Sequence, residues 1–349
     1  MADFNPEENV GTIPVQEKHQ FDVGSLTAFM QDEVDGFSGT LTVEEFAGGQ
    51  SNPTYLLSAG EAQYVMRRKP PGVLLKSAHA VDREYRVLKA LQDVDVPVPR
   101  VYALCTDDEV IGTWFYLMEY QQGRVIWDVN SGPYSPEERA EIWDAACVAQ
   151  AKLHSVDFEA VGLGDYGRHG NYVARQMKRW SEQYEYTKTV DNPYMDNLIE
   201  YLSNNIPAED ETACAIVHGD FKFDNLMMHP DRYEVTGILD WELSTLGNPL
   251  SDFAYLCRPY RETLGEEDLK ALGIPSEEEY IARYCELTGR SGIEHWDYYL
   301  AFNMFRLAAI LQGIARRFLD GTASSKQAES AGAGAMELSK KAWEQIEKA

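Results

Sequence analysis

The periodicity of the chain changes at Gly123, and that change limits what it can fold into. Before it, apolar residues alternate: TLTVEEF at 40–46, TYLLSA at 54–59 and QYVMRRK at 63–69 read as consecutive antiparallel strands. They are joined by AGGQSN at 47–52 and by a Gly60-Glu61 turn. Pro70-Pro71-Gly72 then breaks the pattern, and the run 78–91 sets Val81, Tyr85, Leu88 and Leu91 on one helical face, with Glu84 beside it and able to point inward. VPVPRVYAL, an acidic turn at Thr106 to Glu109 and a strand TWFYLMEY at 113–120 complete this part. Residues 1–20 read as an extended arm leading into a helix over SLTAFMQDEV.

Beyond Gly123 the spacing is helical, over 136–156, 172–187, 193–204, 276–289 and 296–319, with an Ala-rich helix near 325–348. The exception is a short β-like stretch, AIVHGDFKFDNLMMHP followed by EVTGILDWE. A β-rich part followed by a helical one is an α+β, two-lobed plan, with an N-terminal lobe of residues 1–120 and a C-terminal lobe of 121–349. A cleft between lobes is the expected ligand site.

The β-like interruption also carries the chemistry. In VHGDFKFDN at 217–225, four residues separate Asp220 from Asn225, and Asp240 follows fifteen residues later at the end of VTGIL. Phosphoryl transfer needs a carboxylate beside the acceptor hydroxyl, hard oxygen ligands for Mg²⁺, and cations against the transition-state charge. This segment supplies all three: Asp220 as base, Asn225 and Asp240 as metal ligands, Lys222 as the cation, with His218 bracing the loop. An HxD loop followed by Asn is common as a plain hydrogen-bonded turn. The combination gains specificity from Asp240, the glycine turn, Arg67 and Glu84 in order. A metallohydrolase built on His218, Asp220 and His229 is the alternative use of these residue types.

Bulk properties narrow the partners. With 31 Lys+Arg against 57 Asp+Glu the net charge is −26, which opposes nucleic-acid phosphates and anionic membrane surfaces. The five cysteines are scattered and form no CxxC pair, so neither a disulfide framework nor a zinc site is expected. No apolar run is long enough to span a bilayer, and a cytoplasmic enzyme is expected.

HGDFKFDN with ILDWE resembles the aminoglycoside phosphotransferase and choline kinase branch of the protein-kinase-like fold. FAGGQSNPTYLL, RRKPPG, DREYRVLKAL and RLAAILQGIARR are similar to the phosphotransferase domain associated with certain acyl-CoA dehydrogenases. The resemblance implies a small antiparallel N-lobe sheet, a larger helical C-lobe, and ATP with Mg²⁺ as cofactors. It assigns Gly49, Ser51 and Asn52 to a nucleotide-covering loop, Arg67 to the place of the phosphate-contacting lysine, and Glu84 to its helix partner. Glu119 and Tyr120 fall in the hinge beside the adenine, while Gln312 and Arg316 fall on the late helix beside the acceptor.

The pattern departs from the family in places. Arginine replaces lysine at 67, with Lys69 two residues on as a substitute; Trp241-Glu242 replaces the Phe-Gly after the metal-binding Asp of protein kinases; and no long activation segment follows. The expected activity is therefore transfer of phosphate to a small hydroxylated acceptor, a hydroxyacyl compound or hydroxyacyl-CoA, with a functional link to an acyl-CoA dehydrogenase. The alternatives are an aminoglycoside or choline-type kinase, or a non-catalytic nucleotide-binding module.

Overall fold

A computed structural model describes residues 11–47, 52–71, 79–130, 132–264, 266–322 and 326–348, without the side chains of 266–268 and 326–327. Residues 1–10 of the expected arm, and Gly49 and Ser51 of the glycine turn, lie outside the described residues. The chain divides into two compact units, one of the described residues among 3–127 and 224–244, the other of those among 128–223 and 245–349.

The first unit opens with β1 (Thr12–Ile13) and helix α1 (Val23–Glu33), capped by Asp22, which accepts from the Gly24 and Ser25 amides. Strands β2 (Leu41–Phe46), β3 (Thr54–Ala59) and β4 (Ala62–Arg68) follow, then α2 (Val81–Leu91), β5 (Val101–Cys105), the one-turn helix α3 (Asp108–Ile111), β6 (Phe115–Glu119) and β7 (Arg124–Val125). Six strands pair antiparallel in the order β1-β2-β3-β4-β6-β5. Alternation sets the faces: Tyr55, Leu57 and Ala59 of β3 point into a core shared with Leu26, Met30, Met66, Phe115 and Leu117. Ala59 pairs with Ala62, so Gly60 and Glu61 form a two-residue hairpin loop, and Gly60, at φ 64, supplies the positive angle its first position requires. The helix α2 buries Val81, Val87, Leu88 and Leu91; Tyr85 is half-buried and Glu84 is buried.

The chain then builds the second unit with α4 (Pro136–His154), α5 (Tyr172–Thr187), α6 (Pro193–Asn204) and β8 (Ala215–Val217). It returns to the first unit for β9 (Leu226–Met228) and β10 (Val235–Ile238), which form a small sheet in the order β10-β9-β7. Back in the second unit, β11 (Thr245–Gly247) pairs antiparallel with β8. Helices α7 (Pro249–Cys257), α8 (Pro259–Glu262), α9 (Glu266–Leu272), α10 (Glu277–Thr288), α11 (Trp296–Leu319) and α12 (Lys326–Ile346) complete it. Full capping boxes start two of these helices, Ser135 with Glu138 for α4 and Ser276 with Glu279 for α10. All 9 residues of α7 are buried. Among the described residues no helix is long and apolar enough to cross a membrane.

Candidate active site

In the first unit, the β4–β6 register opposes Arg67 to Tyr116, which puts both side chains on one face of the sheet, and α2 lays Glu84 against them. Glu84, 1% exposed, faces Arg67 Nε at 2.8 Å and accepts from the Tyr116 hydroxyl at 3.2 Å and from Asn52 Nδ2 at 2.9 Å. Arg67 thus pairs with Glu84 despite replacing lysine, and its Nη2 reaches Asp240 Oδ1 at 2.6 Å. Burial would lower the Arg67 pKa, but the charges of Glu84, Asp240 and Glu242 raise it overall, so the guanidinium stays charged. Burial pushes the Glu84 carboxyl up, and Arg67 opposes that push. Burial likewise raises the Tyr116 phenol, keeping it a neutral donor. Asn52 is fully buried, with Oδ1 2.9 Å from His79 Nδ1, so its amide serves the Glu84 cluster. Lys69 lies elsewhere, 3.8 Å from the centre of the Trp114 ring and 3.8 Å from Asp82.

The same unit brings Asn225 and Asp240 to one end of a ladder. Ile238 of β10 opposes Leu226 of β9, and one step further the Leu239 amide donates to the Asn225 carbonyl at 2.8 Å. The Ile238 amide donates to the Pro97 carbonyl, tying the ladder to the residues before β5. Asp240 sits just past β10 with φ 64, a left-handed conformation that Asp tolerates better than most side chains. It opens a 3-10 turn, Trp241–Leu243, fastened by Trp241 Nε1 donating to the Ile238 carbonyl at 2.8 Å. Glu119, in the expected hinge, has its amide engaged by the Arg100 carbonyl, and Tyr120 follows half-buried.

In the second unit, Asp220 follows β8 in a loop held from beneath by α7. Asp252 of that helix accepts from the Gly219 amide through Oδ1 at 2.8 Å and from the His218 amide through Oδ2 at 3.0 Å. Its Oδ2 is also 3.2 Å from His154 Nε2, and the other ring nitrogen of His154 is 2.7 Å from the Tyr284 hydroxyl. Burial alone would raise the Asp252 pKa, but His154, His218 and the Gly219 amide bring it below its ordinary value. Asp252 is therefore a brace of the loop. His218 is a brace as well: it is fully buried, and its Nδ1 accepts from the Asp220 amide at 3.3 Å. The Asp220 carboxylate accepts from the Tyr255 hydroxyl at 2.7 Å and has Lys222 Nζ at 3.6 Å. Burial, aided by the Asp220 charge, pushes the Tyr255 phenol up to about 12, so it donates as a neutral group.

The late helix does not place its two expected acceptor residues alike. Gln312 is buried and spends its amide on the Thr187 carbonyl and Thr189 Oγ1, both at 2.9 Å. Arg316 is exposed and pairs with Asp320 one turn on. Arg306, two turns before Gln312, is instead buried, and its Nη2 donates to the Gly219 carbonyl. Tyr116 and Tyr255 carried no sequence signal, since nothing in their local spacing separates them from ordinary core aromatics.

A sequence profile described as the phosphotransferase enzyme family matches residues 42–287. The chain belongs to this family. An Arabidopsis thaliana protein named probable acyl-CoA dehydrogenase IBR3 is 44% identical over 350 residues, which cover 93% of this chain and 42% of that protein. The chain thus spans less than half the length of that relative. A crystal structure from Ralstonia eutropha, provisionally named an aminoglycoside phosphotransferase, matches with TM-score 0.88 and 48% identity over 95% of this chain and 99% of the other. More distant structures share the fold. Choline kinase of Cryptosporidium parvum has TM-score 0.65 at 12% identity, covering 94% and 97% of the two chains. An aminoglycoside phosphotransferase in ternary complex with AMP-PNP and hygromycin B has TM-score 0.60 at 15% identity, covering 92% and 98%. The fold is the kinase-like α+β class expected from the sequence.

Proposed function

We propose that this phosphotransferase uses ATP and Mg²⁺ to phosphorylate a hydroxyl of a small acyl compound, as the free hydroxy acid or its CoA thioester. The observation that carries the reading is the chain of contacts from Glu84 through Arg67 to Asp240, with Asn225 tied to the adjoining Leu239. A carboxylate and a side-chain amide are hard oxygen donors, and Mg²⁺ bound with a nucleotide takes one or two such protein ligands, the phosphates and water supplying the rest. Asn225 and Asp240 would hold the metal, whose part when bound is to neutralise the nucleotide phosphates. Arg67, held charged and oriented by Glu84, presents its fork to phosphate oxygens. Asp220, held by the Asp252-braced loop, accepts the hydroxyl proton, and Lys222 offsets negative charge on the transferring group. The acyl acceptor draws on the acyl-CoA dehydrogenase name of the Arabidopsis relative, and a functional link to such a dehydrogenase belongs to the same proposal.

A second reading, a nucleotide-binding module without turnover, is favoured by one observation: Arg67 already engages the Asp240 carboxylate. A Mg·ATP turnover assay across hydroxy acids, their CoA thioesters, amino alcohols and aminoglycosides separates the two. Transfer to an acyl acceptor is the expected result, whereas tight ATP binding with transfer to no acceptor establishes the module.

A further inference from the structure

Arg306 of α11 is 7% exposed and stands next to the proposed base. Its Nη2 donates to the carbonyl of Gly219, the residue before Asp220. Its guanidinium lies 5.1 Å from the centre of the Tyr255 ring, whose hydroxyl donates to Asp220, and 6.0 Å from that of Trp180. Arg258, on the same Tyr255 ring at 4.3 Å, is neutralised by Glu262 at 2.8 Å, and Arg67 by Glu84 and Asp240. Among the described residues Arg306 has no Asp or Glu at ion-pair distance, and its Nε has no acceptor.

A buried guanidinium whose partners are one neutral carbonyl and two aromatic rings is costly, because it has given up water without gaining a counter-charge. Bracing Gly219 needs a single donor, which a neutral side chain could supply. The remaining donors, beside the group that activates the hydroxyl, suit an oxygen carried by the acceptor.

We propose that Arg306 binds an acyl oxygen of the acceptor, a carboxylate or a thioester carbonyl, while Asp220 takes the proton of a hydroxyl on the same molecule. This rests on the phosphotransferase reading above and adds a specificity determinant to it. A carboxylate would meet the guanidinium fork in two hydrogen bonds, a thioester carbonyl in one. The same uncompensated cation repels acceptors that carry positive charge close to the hydroxyl.

The test uses the full chain with Mg·ATP and four classes of acceptor matched in carbon number: hydroxy acids, their CoA thioesters, diols and amino alcohols. The expected result is kcat/KM for an acyl acceptor at least about tenfold above that for the matched diol. In Arg306→Gln this ratio should collapse through KM for the acyl acceptor, with KM for ATP unchanged. Arg306→Lys, which keeps a charged donor, should recover part of it. The preferred acyl class tells carboxylate from thioester. A uniform fall in kcat for all acceptors in Arg306→Gln, with the ratio intact, would show that Arg306 only braces Gly219 and overturns the proposal, as would preference for an amino alcohol. Mg·ATP binding with no phosphorylation of any acyl acceptor overturns it while leaving the nucleotide site standing. Absence of Mg·ATP binding by calorimetry removes the phosphotransferase reading itself. If Arg306→Gln fails to fold, the wild-type acceptor ratio and Arg306→Lys still decide.

Discussion

Replacing Asp252 should uncouple the loop carrying Asp220 from the helix beneath it. The carboxylate satisfies two buried backbone amides, those of His218 and Gly219, and faces His154. In Asp252→Ala both amides lose their acceptor. A stranded buried donor costs about 1–3 kcal/mol, and breaking a buried charged network totals about 3–5 kcal/mol. Asp252→Asn retains one carbonyl oxygen, so one amide stays satisfied while the other meets an NH₂ group, for a loss of about 1.5–3 kcal/mol. Thermal unfolding should fall by roughly 5–15 °C for the Ala variant and by about half that for Asn. Hydrogen exchange should accelerate at the His218 and Gly219 amides in both. The pH dependence follows from the lowered pKa of Asp252. The stabilisation is complete above the ordinary value of 3.8 for Asp and is lost as pH falls through the lower folded-state value, so the wild type should lose stability in strong acid more steeply than either variant. Unchanged exchange at both amides, with melting within a degree of wild type in Asp252→Ala, would refute the argument that this carboxylate holds the loop.

Further expectations concern the other members of the site. Asp220→Ala should abolish phosphoryl transfer with Mg·ATP affinity nearly unchanged, and retained turnover would sink its assignment as base. Asp240→Ala should weaken Mg·ATP binding itself, measured by calorimetry at several Mg²⁺ concentrations. Glu84→Gln leaves the buried Arg67 without one of its two counter-charges and should cost about 3–5 kcal/mol in urea unfolding, together with a higher KM for ATP. Tyr255→Phe removes a donor to Asp220 and should lower kcat by roughly tenfold with little effect on KM for ATP.

What the sequence determined by itself is what short-range spacing encodes. Strand alternation marked β2, β3 and β4, helical spacing located α4, α5, α6, α10, α11 and α12 to within a few residues, and the HGDFKFDN string marked the loop. Helix α7 was not legible: with every residue buried it shows no polar face, and periodicity detects a helix only through the contrast between its faces. Tertiary structure decided which residues meet. The β10-β9-β7 sheet groups residues 224–244 with the N-terminal strands and ties Leu239 to Asn225, pairings set by non-local hydrogen bonds. Gln312, Arg316 and Arg306 share one helix, yet the first is consumed by backbone and threonine partners, the second stays in solvent, and the third is buried beside Gly219. Helical phase brings Gln312 and Arg316 close together in angle and leaves Arg306 apart from them, and only the neighbours that pack against each turn determine which of the three is left with donors to give.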